Sequence, residues 1–125
     1  MNRKPVCQWL FFAALVVITG HATAQSISDN GNELFDALTH RDEGVKVATG
    51  FFVLGITEGF QVGLAMYRTR DSRQNLPCFD IPKDVKGKQV VDIVKRYLDE
   101  HPEKRHEPSP VLIIRSVSLA FPCFK

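Results

Sequence analysis

The stretch KQVVDIVKRYLDEH, Lys88–His101, and the residues that follow it decide the fold class. Its apolar residues Val91, Val94 and Leu98 recur at i, i+3 and i+7, which is the spacing of one face of a helix. Most of its charged residues fall outside that stripe, as expected for a helix with one buried face. Pro102 disfavours helical backbone at the residue before it, so the helix is predicted to end at His101.

A second helix is predicted immediately downstream, in SPVLIIRSVSLAF, Ser109–Phe121. Ser109 is a favourable N-cap residue, and Pro110 suits the first helical position because the missing N–H has no partner there. Pro122 then ends the helix. The two segments therefore predict a pair of amphipathic helices joined by a short turn.

That turn, HPEKRHE, contains two histidines and two carboxylates and raises the question of a metal or acid–base site. His101 and His106 are five residues apart with Pro102 between them, so they lack the i, i+4 spacing of a helical zinc site. Nothing in the sequence suggests a pocket that would shift the pKa of a general acid or base. We interpret His101, Pro102 and His106 as a structural helix–turn motif, and expect no metal site, no catalytic residue and no cofactor.

Two more helices are predicted upstream, and no segment alternates like a strand. Asp29–Thr39 has one apolar stripe and could be capped by Asn30 or Asn32. Val45–Tyr67 is the longest apolar stretch, but it includes Lys46, Glu58 and Gln61, which would be costly in lipid. We interpret it as a buried core helix. The prediction is an all-α, small single-domain bundle of about four main helices.

Three glycines, Gly55, Gly59 and Gly63, recur at every fourth position of the long apolar helix. Each costs about 1 kcal/mol relative to alanine in a helix interior. Close approach of another helix would compensate for that cost. We therefore expect the glycines to mediate tight helix packing, either inside the domain or across a homodimer.

The N-terminus has the order of a secretory signal peptide. Arg3 and Lys4 are followed by the apolar run Leu10–Ile18 and by the sequence Ala-Thr-Ala, which ends at Ala24. The run is shorter than the roughly 20 residues that span a bilayer. We expect residues 1–24 to be cleaved after Ala24 and residues 25–125 to form a periplasmic domain with no stable membrane insertion.

The composition of the chain after signal removal limits its size and its possible partners. Loss of Arg3 and Lys4 lowers the formal net charge from +2 to 0 and leaves 101 of 125 residues, enough for one small domain. No basic patch with interleaved aromatic residues remains, so a nucleic-acid partner is not expected. Cys7 leaves with the signal, and Cys78 and Cys123 are predicted to form one disulfide in the oxidising compartment.

The segment VVDIVKRYLDEHPEKRHEPSPVLIIRSVSLAFPC resembles the Rap/Tai family of type VI secretion immunity proteins. The similarity extends over about Val45–Cys123, and Gly55, Glu58 and Gly59 match the family's glycine-containing helix. An additional cysteine that many relatives carry near the start of that helix is absent here. The matching residues of the second half are Cys78, Val90, Val91, Lys95, Tyr97, Leu98, His101, Pro102, Glu103, His106, Ala120, Phe121, Pro122 and Cys123.

The resemblance implies a periplasmic helical protein that is not an enzyme. It implies a protein partner, a peptidoglycan-cleaving effector of the amidase type whose active-site cleft the immunity protein occludes, and a possible homodimer. Exposed loops on a rigid scaffold commonly carry binding residues. We place candidate partner contacts in the long connection Arg68–Asp80 and in the turn Glu103–Glu107, and the candidate residues are Arg68, Arg70, Arg73, Glu103 and Glu107.

An alternative function is compatible with the same features. A small exported helical protein with one disulfide could act as a periplasmic acid-stress or envelope chaperone that exposes apolar surface at low pH. Histidine side chains ordinarily become protonated below about pH 6.5, and carboxylates below about pH 4. The two functions differ in the partner, which is a specific effector in the first case and an unfolded client in the second.

Overall fold

A computed structural model of the protein describes residues 29–68 and 77–123. Over these residues it has four α-helices and no strand, which confirms the predicted all-α class. Each of the four helices contacts the other three, so they form one bundle around a common core. The helices are α1 (Gly31–Leu38), α2 (Glu43–Arg68), α3 (Gly87–Glu100) and α4 (Ser109–Ala120), with a 3-10 turn at Pro102–Lys104 between the last two.

Helix α1 begins with the cap predicted from the sequence. The Asn30 side-chain oxygen accepts hydrogen bonds from the backbone N–H groups of Asn32 and Glu33, at 3.0 and 3.2 Å. The Glu33 carboxylate in turn accepts one from the Asp29 N–H, at 2.9 Å. These contacts provide partners for first-turn N–H groups, and the helix dipole favours the Glu33 charge at this end.

Helix α2 is less buried than the sequence analysis predicted. Its segment Glu43–Tyr67 is long and apolar enough to cross a membrane, a property that it shares with core helices and signal sequences. Only 22% of its most apolar window is buried. One face of α2 contributes Val53 to the core. Thr57 is also buried, and its hydroxyl has a hydrogen-bond partner because it donates to the Val53 carbonyl at 2.9 Å. The interpretation as a buried core helix is therefore wrong for the opposite face.

Helices α3 and α4 agree with their predicted periodicity, but the start of α4 differs by one residue. Pro108 is the N-cap, and Ser109 is the first helical residue. Ser109 is fully buried, and its N–H lies 3.4 Å from the Asp29 carbonyl that accepts its hydrogen bond. The prediction of Ser109 as N-cap is wrong because this contact with the chain before α1 fixes Ser109 inside the bundle.

The core contains apolar residues from every helix and from the connection that precedes α3. Phe79 of that connection stacks on Phe60 of α2, with ring centroids 5.8 Å apart. Burial of such side chains supplies most of the favourable free energy of folding. The buried apolar residues are Leu34, Leu38, Val53, Leu64, Phe79, Val90, Val94, Leu98, Leu112, Ile113 and Val117.

The predicted disulfide between Cys78 and Cys123 is present, with 5.6 Å between the two Cα atoms. It joins the connection before α3 to the residues after α4. Beside it, Phe79 and Pro122 form an isolated β-bridge, and the Asp80 N–H donates to the Phe121 carbonyl at 3.0 Å. The C-terminal end of the described chain is thus held against the bundle by one covalent bond and a neighbouring hydrogen bond.

The three glycines of α2 do not mediate packing among the described residues. A Cβ atom added to Gly55, Gly59 or Gly63 would meet nothing within 4 Å, apart from the local helix backbone. The prediction of close packing inside the domain is therefore wrong. The alternative, packing across a homodimer, stays a prediction.

Candidate functional site

The turn between α3 and α4 is held together by its own backbone and side chains. His106 Nδ1 donates to the Glu103 carbonyl at 2.9 Å, and His101 Nδ1 lies 3.3 Å from a Glu103 carboxylate oxygen. The His101 N–H closes the end of α3 on the Tyr97 carbonyl at 3.0 Å. Both histidines thus have contacts that shape the turn, as the helix–turn interpretation of His101, Pro102 and His106 expects.

The same turn also forms hydrogen bonds with the first turn of α1. The carbonyls of Glu107 and Arg105 accept hydrogen bonds from the N–H groups of Gly31 and Asn32, each at 3.0 Å. The Arg105 side chain donates to the Leu98 carbonyl at 2.6 Å, and its guanidinium lies 3.6 Å above the centroid of the Phe35 ring. Such a cation–π contact is worth about 0.5–2 kcal/mol. The turn is therefore a structural junction of three helices.

The described residues, 29–68 and 77–123, contain no group of three or more His, Cys, Asp or Glu side chains that could hold a metal ion. His101 contacts the Glu103 carboxylate and His106 contacts the Glu103 carbonyl, whereas Glu107 pairs with Arg115 of α4. The turn offers Glu103 and His101 as partly exposed groups for hydrogen bonding and charge pairing with a neighbouring molecule.

The two acidic candidates in the turn differ in availability. Glu107 forms a two-point ion pair with Arg115 of α4, at 2.7 and 2.8 Å. The hydrogen bond from Arg115 is the main cause that lowers the pKa of Glu107 below its ordinary value of 4.5. Contacts with Glu107 and Tyr97 raise the pKa of Arg115. Glu103 is more exposed, and backbone hydrogen bonding is the first cause that lowers its pKa.

Replacing Glu107 with glutamine should remove part of the acid sensitivity of the fold. Because the folded-state pKa of Glu107 is lowered, its stabilising effect is complete above its ordinary pKa and is lost as the pH falls through the folded value. We expect Glu107→Gln to unfold at a lower temperature than the parent at pH 7, with the difference shrinking below about pH 4.5. Thermal unfolding followed by circular dichroism across this range measures both quantities, with the exposed Glu58→Gln as control. A difference that is the same at pH 7 and pH 3 would contradict the expectation.

An apolar groove of about 570 Å³ lies between α2 and α4, and we call it the α2–α4 groove. Val111 and Leu119 are 45% and 67% exposed. The Ser118 hydroxyl is buried and has no hydrogen-bond partner among the described residues. The groove is lined by Phe60, Pro77, Pro110, Val111, Ile114, Arg115, Ser118 and Leu119.

The α2–α4 groove is adjacent to both segments that the sequence analysis singled out. Arg115 lines the groove and binds Glu107 of the turn. Pro77 also lines the groove and belongs to the long connection Arg68–Asp80. Arg70 and Arg73 lie outside the described residues, as does the side chain of Arg68, so no position is assigned to these three candidates.

A second groove, of about 440 Å³, lies between α2 and α3. Its floor is apolar, with Leu54 and Val91, and Phe51 at its edge is 70% exposed. Its charged side chains are largely paired, Lys46 with Glu43 and Lys88 with Asp92. We call this the α2–α3 groove.

Sequence reasoning missed the residues that form the α2–α4 groove. Val111, Arg115 and Leu119 recur at every fourth position of α4, so their shared face was readable from the sequence. What could not be read was that this face remains exposed beside Phe60. One sequence signal could have indicated this surface. Helix α4 has apolar residues on more than one face, whereas a helix with a single buried face needs only one apolar stripe.

In a comparison with protein families, the family described as Rap1a immunity proteins matches residues 30–123. Comparison with curated proteins and with solved structures gives no match.

Proposed function

The chain belongs to the Rap1a immunity protein family, and from that premise we propose that it is a periplasmic protein that neutralises an effector of a type VI secretion system. The effector would be a peptidoglycan-cleaving enzyme of the amidase type, and binding would occlude its active-site cleft. Family membership over residues 30–123 is the observation that carries the proposal. The signal-like N-terminus supports export, and the disulfide is typical of proteins in oxidising compartments.

The surface that best fits effector binding is the α2–α4 groove together with the adjacent turn. Protein interfaces combine a desolvated apolar centre with a polar rim. Here Val111 and Leu119 supply exposed apolar surface, and the Glu107–Arg115 ion pair and Glu103 supply polar groups beside it. The groove and the turn both belong to a helix bundle that is held together by the turn and the disulfide. A rigid bundle limits the conformational entropy lost on binding.

An alternative function, as an acid-stress or envelope chaperone, would use the exposed apolar side chains of α2 and α4 to bind unfolded clients. Family membership supports a single specific protein partner instead. The proposal accordingly treats inhibition by binding, without catalysis by this chain, as the function.

A co-expression experiment tests the proposal. The product of the gene adjacent to this one is exported into the periplasm of a test cell, and lysis is followed with and without this protein. We expect lysis that is prevented only when this protein is co-exported. Toxicity that this protein does not relieve would contradict the proposal for that effector.

Charge placed in the α2–α4 groove should weaken protection against the effector. Leu119→Asp puts a carboxylate at the centre of an apolar contact, where it would have to lose its water on binding, so we expect the dose of protein required for protection to rise at least tenfold. Val45→Asp is the matched control, because it also replaces an exposed aliphatic side chain but lies at the start of α2, where the helix dipole favours acid. Equal protection by both variants would exclude the groove as the binding surface.

A further inference from the structure

The α2–α3 groove is an apolar surface that is separate from the one proposed to bind the effector. Its apolar residues come from three helices, with Leu38 in α1, Phe51 in α2 and Val91 in α3. Phe51 and Val47 are 70% and 55% exposed, so this wall has no partner inside the bundle that covers it. Among the described residues, the α2–α3 groove shares no lining residue with the α2–α4 groove.

Two close contacts show how α2 and α3 run along the groove. A Cβ atom added to Gly87 would lie 2.9 Å from Leu54 Cδ1, and one added to Gly50 would lie 3.7 Å from Val91 Cγ2. Residue numbers therefore rise along α3 as they fall along α2, so the two helices are antiparallel. Because Gly50 lines the groove and has no side chain, the middle of the groove stays open at this position.

The groove is long and narrow. Glu43 and Leu54 are the first and last residues of α2 that line it, and the helix rise between them gives a length of about 17 Å. A volume of about 440 Å³ over that length corresponds to a width of roughly 5 Å. The body of an α-helix, about 10–12 Å across with its side chains, does not fit this width. A single hydrocarbon chain, whose carbon atoms lie about 4 Å from their neighbours, does fit.

One end of the groove has an excess of positive charge. Four residues beyond the contact of Gly50 with Val91, the antiparallel helices bring Lys95 opposite Lys46. Lys46 is paired with Glu43, whereas Lys95 is exposed and has no ion pair among the described residues. All three charged side chains line the groove, so one positive charge at this end lacks a counter-ion.

We propose that the α2–α3 groove binds a fatty acid, with the hydrocarbon chain along the apolar walls and the carboxylate at Lys95. The width of the groove selects a single unbranched chain, and the one uncompensated cation selects a head group with one negative charge. Lys88 and Asp92 also line the groove, but their ion pair at 2.8 Å adds no net charge. The proposed site is independent of effector binding.

The length of the groove predicts a preferred chain length. Extended chains advance by roughly 1.2 Å per bond, so a chain of about 12–14 carbon atoms spans the groove. Each methylene inside the groove leaves water and adds to the affinity, whereas a methylene beyond its end stays in solvent. We therefore expect the affinity to rise at least tenfold from octanoate to dodecanoate and to level off beyond tetradecanoate. An affinity that keeps rising with chain length would overturn the proposal, because it would indicate adhesion to general apolar surface.

Isothermal titration calorimetry of the exported protein with sodium dodecanoate, below its critical micelle concentration, tests the site directly. We expect one molecule bound per chain, with a dissociation constant on the order of 100 µM, the strength with which one acyl chain binds a membrane. Gly50→Leu should weaken binding at least tenfold, because the new side chain would fill the middle of the groove. Its Cβ would have only an ordinary contact with Val91, so we expect the variant to fold.

Gly55→Leu is the matched control, because Gly55 lies outside the groove and a Cβ there would meet nothing within 4 Å. It should leave dodecanoate binding unchanged. Circular dichroism of both variants confirms that each is folded. Absence of dodecanoate binding to the parent protein would overturn the proposal, and so would binding that Gly50→Leu does not weaken.

A second pair of variants tests the charge of the head group. Lys95→Glu should weaken dodecanoate binding by roughly fivefold or more at low ionic strength. Arg96→Glu makes the same change at an exposed neighbour outside the lining, and should have a smaller effect that disappears at physiological ionic strength. Dodecyltrimethylammonium, which has the same chain and a positive head group, should bind more weakly than dodecanoate. Equal binding of the two amphiphiles would overturn the proposal.

The Gly50→Leu variant also distinguishes a fatty acid from a protein partner in this groove. We expect Gly50→Leu to prevent dodecanoate binding and to leave protection in the co-expression experiment unaffected. Loss of protection in Gly50→Leu, together with no dodecanoate binding to the parent protein, would show that the groove contacts the effector instead. That result would overturn the fatty-acid site and leave the proposed immunity function intact.

Discussion

Replacing Cys78 with serine is expected to lower the thermal midpoint by on the order of 20 °C, because a domain of about 100 residues loses roughly 4–8 °C per kcal/mol. The disulfide with Cys123 closes a loop with a sequence separation of 45 residues. The chain-entropy model assigns about 4 kcal/mol to a loop of this length. That is a large share of the roughly 5–15 kcal/mol by which typical domains are stable.

Thermal unfolding followed by circular dichroism, with and without reductant, measures this effect. The parent protein should lose about as much stability in reductant as Cys78→Ser loses by mutation. The double variant Cys78→Ser/Cys123→Ser is the control, since reductant should not change its midpoint. A parent protein whose midpoint is the same in both conditions would show that the bridge does not stabilise the fold.

Replacing Gly31 with alanine is expected to lower the free energy of unfolding by about 3 kcal/mol, at the upper end of the usual cost of overpacking. A Cβ at this position would overlap Leu112 Cδ1 and would lie 2.9 Å from both Cα and the carbonyl oxygen of Arg105. The Leu112 side chain could turn away only at the expense of core packing. The two Arg105 atoms belong to the backbone, so the turn itself would have to move. That movement would strain the hydrogen bonds between the turn and the first residues of α1.

The matched control is Gly55→Ala, at a glycine with open space around it. Alanine is favoured over glycine by about 1 kcal/mol in a helix interior, so this variant should be slightly more stable than the parent. Urea unfolding of dilute protein gives both free energies without a contribution from self-association. Equal tolerance of alanine at Gly31 and Gly55 would contradict the close contact between α1 and the turn.

The contrast between these two glycines shows what the sequence can and cannot predict. Gly55 belongs to a regular pattern that suggested internal packing, and the structure leaves it exposed. Gly31 belongs to no pattern, yet among the described glycines it has the closest contacts with another segment of the chain. Which helix face meets which neighbour depends on long-range packing, and spacing along one helix does not determine it.

Local signals were more reliable, because their physics is contained in a few neighbouring residues. Asn30 caps α1 as predicted, and α3 gives way to His101 and Pro102 as predicted. The cap of α4 was misplaced by one residue because the contact of Ser109 with Asp29 comes from the far end of the chain. For the candidate site, the polar turn was found from the sequence, while the α2–α4 groove needed two helices to be placed side by side.

The proposed inhibition of a cell-wall-cleaving effector by binding can be measured with purified components. Hydrolysis of isolated peptidoglycan by the effector encoded beside this gene is measured while this protein is titrated in. We expect hydrolysis to stop at a stoichiometric amount of this protein and to continue when Leu119→Asp replaces it. Undiminished hydrolysis in the presence of a large excess of the parent protein would contradict the claim.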